Sequence, residues 1–159
     1  MTDFNYPPQQ TYQFDTERDS LDETISELEH ERDQLEATDD RDGDRLQTVR
    51  SELQDARGHR EAIAWAIEEF GADATVTLKA TTTRARSRAV DTAQRSTTGT
   101  LGVEQMQDWL LAASIVDAPW QDDDASLAER GRITGALPPA LSNWLRSKQQ
   151  SLNDLSPGN

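Results

Sequence analysis

In the first half of the chain the apolar positions keep helical time. Leu21, Ile25, Leu28 and Leu35 recur at intervals of four, three and seven residues, and Leu46, Val49, Leu53, Ala56, Ile63, Ile67 and Phe70 continue the seam, interrupted at Arg60. This spacing puts one apolar stripe along a helix and predicts a coiled coil or a helical hairpin over residues 15–70. The heptad frame holds from Ile25 to Leu46, as a continuous rod would require, but it places Asp39 and Asp42 on the seam beside Gly43. Seam carboxylates next to a glycine favour a turn within 38–44. Asp44 and Gln47 then mark the start of a second helix and Gly71 its end. An antiparallel hairpin is the expectation, and one long helix the alternative.

Beyond Gly71 the period changes. Residues 74–81 alternate apolar and polar positions and are rich in β-branched side chains, which predicts a strand. A lone strand needs a mate, which leaves three possibilities: the N-terminal arm, a short strand that the pattern does not reveal, or another subunit. Helices are expected from Thr83 to Gln94 and from Val103 to Val116. A third module is capped by Ser126 and Glu129, pauses at Gly135 and resumes after Pro138-Pro139 to about Leu155. Met106, Trp109, Leu110, Ala113, Leu127, Ile133, Leu137, Leu141, Trp144, Leu145 and Leu152 form its expected core. The predicted fold is mainly α: an N-terminal antiparallel hairpin or coiled coil, then a small helical bundle with one short β element. Three segments follow from this reading: an extended arm over 1–14, the hairpin over 15–72 and the bundle over 73–159.

The arm has no period. It carries Phe4, Tyr6, Tyr12 and Phe14 around Pro7-Pro8 and several glutamines. Aromatics spaced along an extended, proline-containing segment suit docking into a groove, on a partner or on the chain's own core. A disordered tail is the alternative. The four aromatics are candidate partner-binding residues.

Charge separates the halves. Residues 1–73 hold 7 basic and 21 acidic side chains, whereas residues 74–159 hold 9 of each, giving the whole chain a net charge of -14. Fourteen of the 16 basic residues are arginine, the exceptions being Lys79 and Lys148. A carboxylate-dense surface poor in lysine stays solvated where salt screens self-repulsion, which predicts a salt-rich, halophilic cytoplasm. With 34% apolar residues the core is expected to be thin.

Chemistry is excluded more readily than assigned. There is no cysteine, so disulfides, thiol catalysis and zinc–thiolate sites are excluded. No stretch is apolar enough to span a membrane, and the first residues do not resemble a signal peptide; a cytoplasmic protein is expected. His30 and His59, the two histidines, fall on the acidic helices, away from any pocket that could tune an acid or base. The run Asp40-Arg41-Asp42-Gly43-Asp44 departs from the calcium-loop pattern, because its glycine precedes the third acid and Ser51 occupies the closing position. Asp122-Asp123-Asp124 reads as a solvated loop. No phosphate-binding loop, dinucleotide glycine pattern or hydrolase elbow occurs. No enzyme, cofactor or metal is expected.

One feature opposes the overall charge. Lys79, Arg84, Arg86, Arg88 and Arg95, with Asp91 among them, give a net charge of +4 within 17 residues. They either pair with the chain's own acidic hairpin, or dock a carboxylate-rich partner, or meet nucleic-acid phosphate. The last reading is the weakest, since no aromatic interleaves them and the net field repels phosphate. Arg84, Arg86 and Arg88 are candidate partner-binding residues. Trp109 and Trp144 sit at core spacing, whereas Trp120 follows Ala118-Pro119 in a loop and is a candidate anchor.

From about Ala74 to Leu155 the order of features resembles the tail assembly chaperones of tailed viruses. The resemblance is carried by the Thr-rich strand at Thr75–Lys79, an arginine-bearing helix and the run Leu110-Leu111-Ala112-Ala113-Ser114-Ile115-Val116-Asp117-Ala118-Pro119-Trp120. An acidic loop follows, then a last helix closing on Ser151-Leu152-Asn153-Asp154-Leu155-Ser156. It implies a small helical fold with a short β element that keeps a tape-measure or tail-tube client soluble during assembly. The hairpin of residues 15–70 lies outside the resemblance and suits self-association. A structural tail or connector protein of the virion, and a halophilic coiled-coil adaptor binding nucleic acid through Arg84–Arg95, are the alternatives.

Overall fold

The computed structural model describes residues 7–38, 43–97 and 99–155. In chain order the elements are β1 (Gln9–Gln13), α1 (Phe14–Ala37), α2 (Gly43–Phe70), β2 (Thr75–Lys79), α3 (Thr83–Ser96), α4 (Val103–Ser114), β3 (Ile115–Asp117), α5 (Leu127–Gly135) and α6 (Pro139–Asp154). The fold is mainly α, with a helical hairpin at its N-terminal side and a small three-stranded sheet. The described residues divide into two compact units, 13–73 and 7–12 with 74–155. The arm therefore groups with the bundle through β1.

In the first unit α1 and α2 pack as an antiparallel pair. Glu36, Glu29 and Asp22 of α1 meet Arg50, Arg57 and Arg60 of α2 at 2.9, 3.6 and 2.6 Å, one chain ascending as the other descends. The seam break at Arg60 is thus an ion pair rather than a packing fault. Val49, Leu53, Ala56, Ala62, Ile63 and Ala66 of α2 are buried, whereas Leu21, Ile25, Leu28 and Leu35 of α1 are half-buried. At the open end the Asp15 N–H donates to the Ala72 carbonyl at 3.1 Å. Gly71 ends α2 with a φ of 101°, a left-handed conformation in which its N–H caps the Ile67 carbonyl at 2.8 Å. The predicted turn falls on residues 39–42, which lie outside the described residues, and α2 begins at Gly43, one residue before the expected cap.

In the second unit β2 is the middle strand, in the order β1-β2-β3. The Ala80 N–H donates to the Pro8 carbonyl at 2.8 Å and the Thr11 and Thr77 hydroxyls pair at 2.7 Å, so β1 runs antiparallel to β2. On the other side Thr77 faces Asp117 and Leu78 faces Ile115, with an irregularity between the two. Val76 and Leu78 are fully buried and Thr77 nearly so, which leaves neither face of the strand in water.

The helix expected over 103–116 ends at Ser114, because Ile115 and Asp117 find ladder partners in Leu78 and Thr77 of β2. Residues 111–115 are all buried, the mark of a helix end covered on every side. Trp109, Ala113, Leu141, Trp144, Leu145 and Leu152 are buried as expected, while Met106, Leu110, Leu127, Ile133 and Leu137 are half-buried. Ser126 caps α5, its hydroxyl accepting from the Glu129 N–H at 3.2 Å.

Gly131 of α5 lies against the Trp109 ring of α4: a Cβ at position 131 would overlap the ring carbons. Gly131→Ala should therefore destabilise the protein by about 1–3 kcal/mol, through overpacking and despite the better helix propensity of alanine. Urea unfolding followed by tryptophan emission checks this, and a neutral or stabilised variant would show that the two helices are free to separate.

The charge balance generates a second expectation. Four ion pairs bridge α1 and α2, including Arg45 with Glu31 at 2.5 Å, against 21 acidic residues in the first 73. Exposed pairs of this kind contribute roughly 0–1 kcal/mol each, too little to offset carboxylate repulsion at low salt. At about 1 M KCl the screening length falls to roughly 3 Å. The thermal midpoint by circular dichroism should rise by at least about 4 °C between about 0.1 and 2 M KCl; a flat or falling midpoint would mean that self-repulsion does not limit the fold.

Candidate protein-interaction site

Helix α3 follows β2 after three residues, and its start is fixed by Thr82, whose hydroxyl accepts from the Ala85 N–H at 3.1 Å. Ala89 and Ala93 are buried and Ala85 half-buried, one turn apart in succession, so small side chains let this helix lie close against α4 and α5. At 3.6 residues per turn, positions 84, 88, 91 and 95 share the opposite face. Arg84, Arg88 and Arg95 therefore form one exposed row, with Asp91 within it. Arg86 stands roughly 160° around the helix from Arg88, on the flank of the buried stripe. The basic cluster read from the sequence is two features.

Among the described residues Lys79, Arg84, Arg86, Arg88 and Arg95 make no ion pair. Within their own unit, the described carboxylates do not neutralise them: Asp108 is paired with Arg146 instead. The placement is also unfavourable locally. The first turn of α3 carries no acidic residue, while Arg84 lies in it, at the positive end of the helix dipole. Arg84 and Arg88 add a like-charge pair four residues apart.

Arg86 leads into a cleft of 490 Å³ bounded by Thr81, Thr82, Gln107, Arg146 and Gln149. Its wall is cross-braced. The Thr81 N–H donates to Asn153 Oδ1 at 2.9 Å, and Gln149 Nε2 donates to Thr81 Oγ1 at 2.9 Å and to the Leu110 carbonyl at 3.4 Å. Arg146 reaches the cleft from α6 and is held by Asp108, Nη2 to Oδ1 at 2.5 Å. Asp108 and Glu104 line a second, acidic concavity of 380 Å³ on the far side of Arg146.

The aromatic candidates are placed otherwise. Phe4 and Tyr6 lie outside the described residues. Tyr12 and Phe14 are not available to a partner: they are 5% and 0% exposed. Tyr12 meets the Trp144 ring edge-on at 5.9 Å and lies under Lys148 Nζ at 5.3 Å, so pairing of β1 with β2 turns it into the core. Trp120 sits in a turn, half-buried with its Nε1 enclosed, and is not a protruding anchor. Arg84 and Arg88 are brought together, and Arg86 is set apart beside Arg146. The sequence reading missed Arg146, Gln149 and Thr81; the signal was faint, an arginine directly after core Leu145 on an otherwise amphipathic helix.

Nothing else among the described residues gathers chemistry. His30 is exposed and bonded to Gln34 at 3.1 Å. No group of three His, Cys, Asp or Glu could hold a metal ion, and no helix is long and apolar enough to cross a membrane, among the described residues. Asp40 and Asp42 of the acidic run lie outside them. A scan of protein-family models and searches of curated proteins and of solved structures find no match to this chain.

Charge reversal at either end of α3 measures the helix-dipole contribution directly. Arg84→Glu removes an unfavourable charge–dipole contact and replaces a repulsive 84–88 pair with an attractive one, so it should stabilise the protein by about 0.5–1.5 kcal/mol. Arg95→Glu, in the last turn where a cation is favoured, should instead destabilise it. Urea midpoints of both variants decide the matter, and equal shifts of one sign would show that the helix dipole has no bearing on these positions.

Proposed function

We propose that this protein is a non-enzymatic assembly factor that holds a protein client through the arginine row of α3. The observation that carries the reading is that Arg84, Arg88 and Arg95 are exposed and, among the described residues of their own unit, have no ion pair, in a chain of net charge -14. Unpaired cations on such a chain, two of them set against helix stability, are placed for something outside it. The resemblance of residues 74–155 to viral tail assembly chaperones supplies the client class: a tape-measure-like or tail-tube protein of a tailed virus with a halophilic host. Trp109 and Trp144 belong to the core, so the contact is carried by the charged face and not by the bundle's tryptophans. The half-buried α1 seam suits self-association through residues 15–70. The protein would act in the host cytoplasm, and would remain in the particle only as a structural component.

The mechanism needs no chemistry. In molar salt, long-range steering is screened and only contact-range hydrogen bonds between ions persist. Arginine suits this regime, because its planar fork holds a carboxylate bidentately. Moderate interface area and micromolar affinity would be sufficient for a client that must later be released. Nucleic acid remains a second reading because the same unpaired row could meet phosphates; its affinity would fall steeply with salt.

The test is co-expression at molar KCl with the long helical protein encoded beside it, followed by assay of the soluble complex and of purified particles. The expected result is a soluble complex, lost in the Arg84→Glu/Arg88→Glu double variant, with the protein absent from particles. Fixed stoichiometry in particles would make it a virion component, and tighter binding to DNA than to the client would make it an adaptor.

A further inference from the structure

Resting on that docking function, we propose that the cleft between the start of α3 and α6 is a specificity pocket for an acidic peptide segment, receiving a glutamate or aspartate carboxylate between Arg86 and Arg146. The cleft runs against the chain's composition. Acidic residues outnumber basic ones 30 to 16, yet this cavity is lined by two arginines, threonines, side-chain amides and Leu110, with no carboxylate. Its cations are held differently. Arg146 is 30% exposed and fixed from behind by Asp108, with one Nη2 hydrogen bond committed, while Arg86 is exposed and has no ion pair. One guanidinium is pre-positioned and the other is available to close on a bound anion.

The remaining wall selects the carrier of that anion. A volume of 490 Å³ lies within the range of ligand sites, roughly 300–1,000 Å³, and exceeds what a bare carboxylate fills. The hydroxyls of Thr82 and Thr83 and the Gln107 amide match the N–H and C=O groups of a peptide on either side of the acidic residue. The bracing of Thr81 by Gln149 and Asn153 keeps this wall in place before a ligand arrives. Phosphate shares the oxyanion chemistry, but no aromatic side chain lines the cleft to stack a base.

The experiment uses the full chain at molar KCl and three fluorescent probes: a short blocked peptide with a central glutamate pair, its glutamine counterpart, and a single-stranded oligonucleotide. Anisotropy should show the glutamate peptide binding at least about tenfold tighter than the glutamine one, the ratio expected for charge-assisted hydrogen bonds. Arg86→Gln should reduce that affinity by at least about fivefold and Arg86→Lys by less, since lysine keeps the charge without the fork. Arg132→Gln, exposed on α5 and away from the lining, should leave it unchanged. Arg86 is exposed, so its variants should keep the wild-type circular dichroism spectrum. Equal binding of the two peptides, indifference to Arg86→Gln, or preference for the oligonucleotide would each overturn the pocket. If the glutamate peptide fails to bind while client capture still depends on Arg84 and Arg88, the pocket is wrong and the docking function stands. If the peptide binds as expected and no client is captured, the reverse holds.

Discussion

Strand β2 is five residues long, and its hydrogen-bonding needs organise the whole surrounding unit. With Val76, Thr77 and Leu78 buried, its backbone N–H and C=O groups have no water to turn to and must be met from both sides. The partners come from distant parts of the chain: β1 from the N-terminal arm and β3 from the end of α4. Pairing with β1 also turns Tyr12 onto Trp144, and pairing with β3 stops α4 at Ser114. Thr81 follows directly from this strand, so the wall of the cleft, with its bonds to Gln149 and Asn153, stands at a fixed distance from the sheet. A site wall on a strand end is held more rigidly than one on a free loop.

The helices around that strand were legible because they repeat. Periodic apolar positions located α1 and α2 to within a few residues, Pro138-Pro139 marked the start of α6, and Ser126 announced the start of α5 through its cap. The strands were legible only in the middle. β2 alternates and is β-branched, whereas β1 reads Gln-Gln-Thr-Tyr-Gln, which has no strand signature and becomes a strand because β2 needs a neighbour. Ile115 and Val116 continue the apolar pattern of α4 so smoothly that only the ladder partner decides their state. Tertiary demand overrode local pattern in both cases.

The site was half legible for a related reason. Charge counting finds the arginines between 84 and 95, since they oppose the rest of the chain. It cannot divide them, because the division depends on which side of α3 is buried, and that is set by Ala85, Ala89 and Ala93, residues too small to give a strong hydrophobic signal. Arg146 left only the faint signal of its place after core Leu145, and its neighbours on α6 do not indicate that Asp108, 38 residues earlier, holds it. The aromatic arm misled for the opposite reason. Tyr12 and Phe14 carry enough apolar area to look like anchors for a partner, and that same area favours their burial within the chain.

In a salt-rich solvent, as proposed, the arginine row and the acidic hairpin would answer different demands. Carboxylates spread over α1 and α2 keep the chain hydrated when salt is dense, and their mutual repulsion is then screened over a few ångströms. Screening would also remove long-range attraction between carboxylates and arginines in general. What survives at high salt is contact between a guanidinium fork and a carboxylate fitted to it. A protein in that medium distinguishes partners by geometry at short range, and this favours a few arginines held at defined positions over a diffuse basic patch. Arg84 and Arg88 meet that requirement on the open face of a short helix and Arg146 meets it through Asp108. On the proposed docking function, the local cost of Arg84 at the helix N-terminus would be borne for binding rather than for stability.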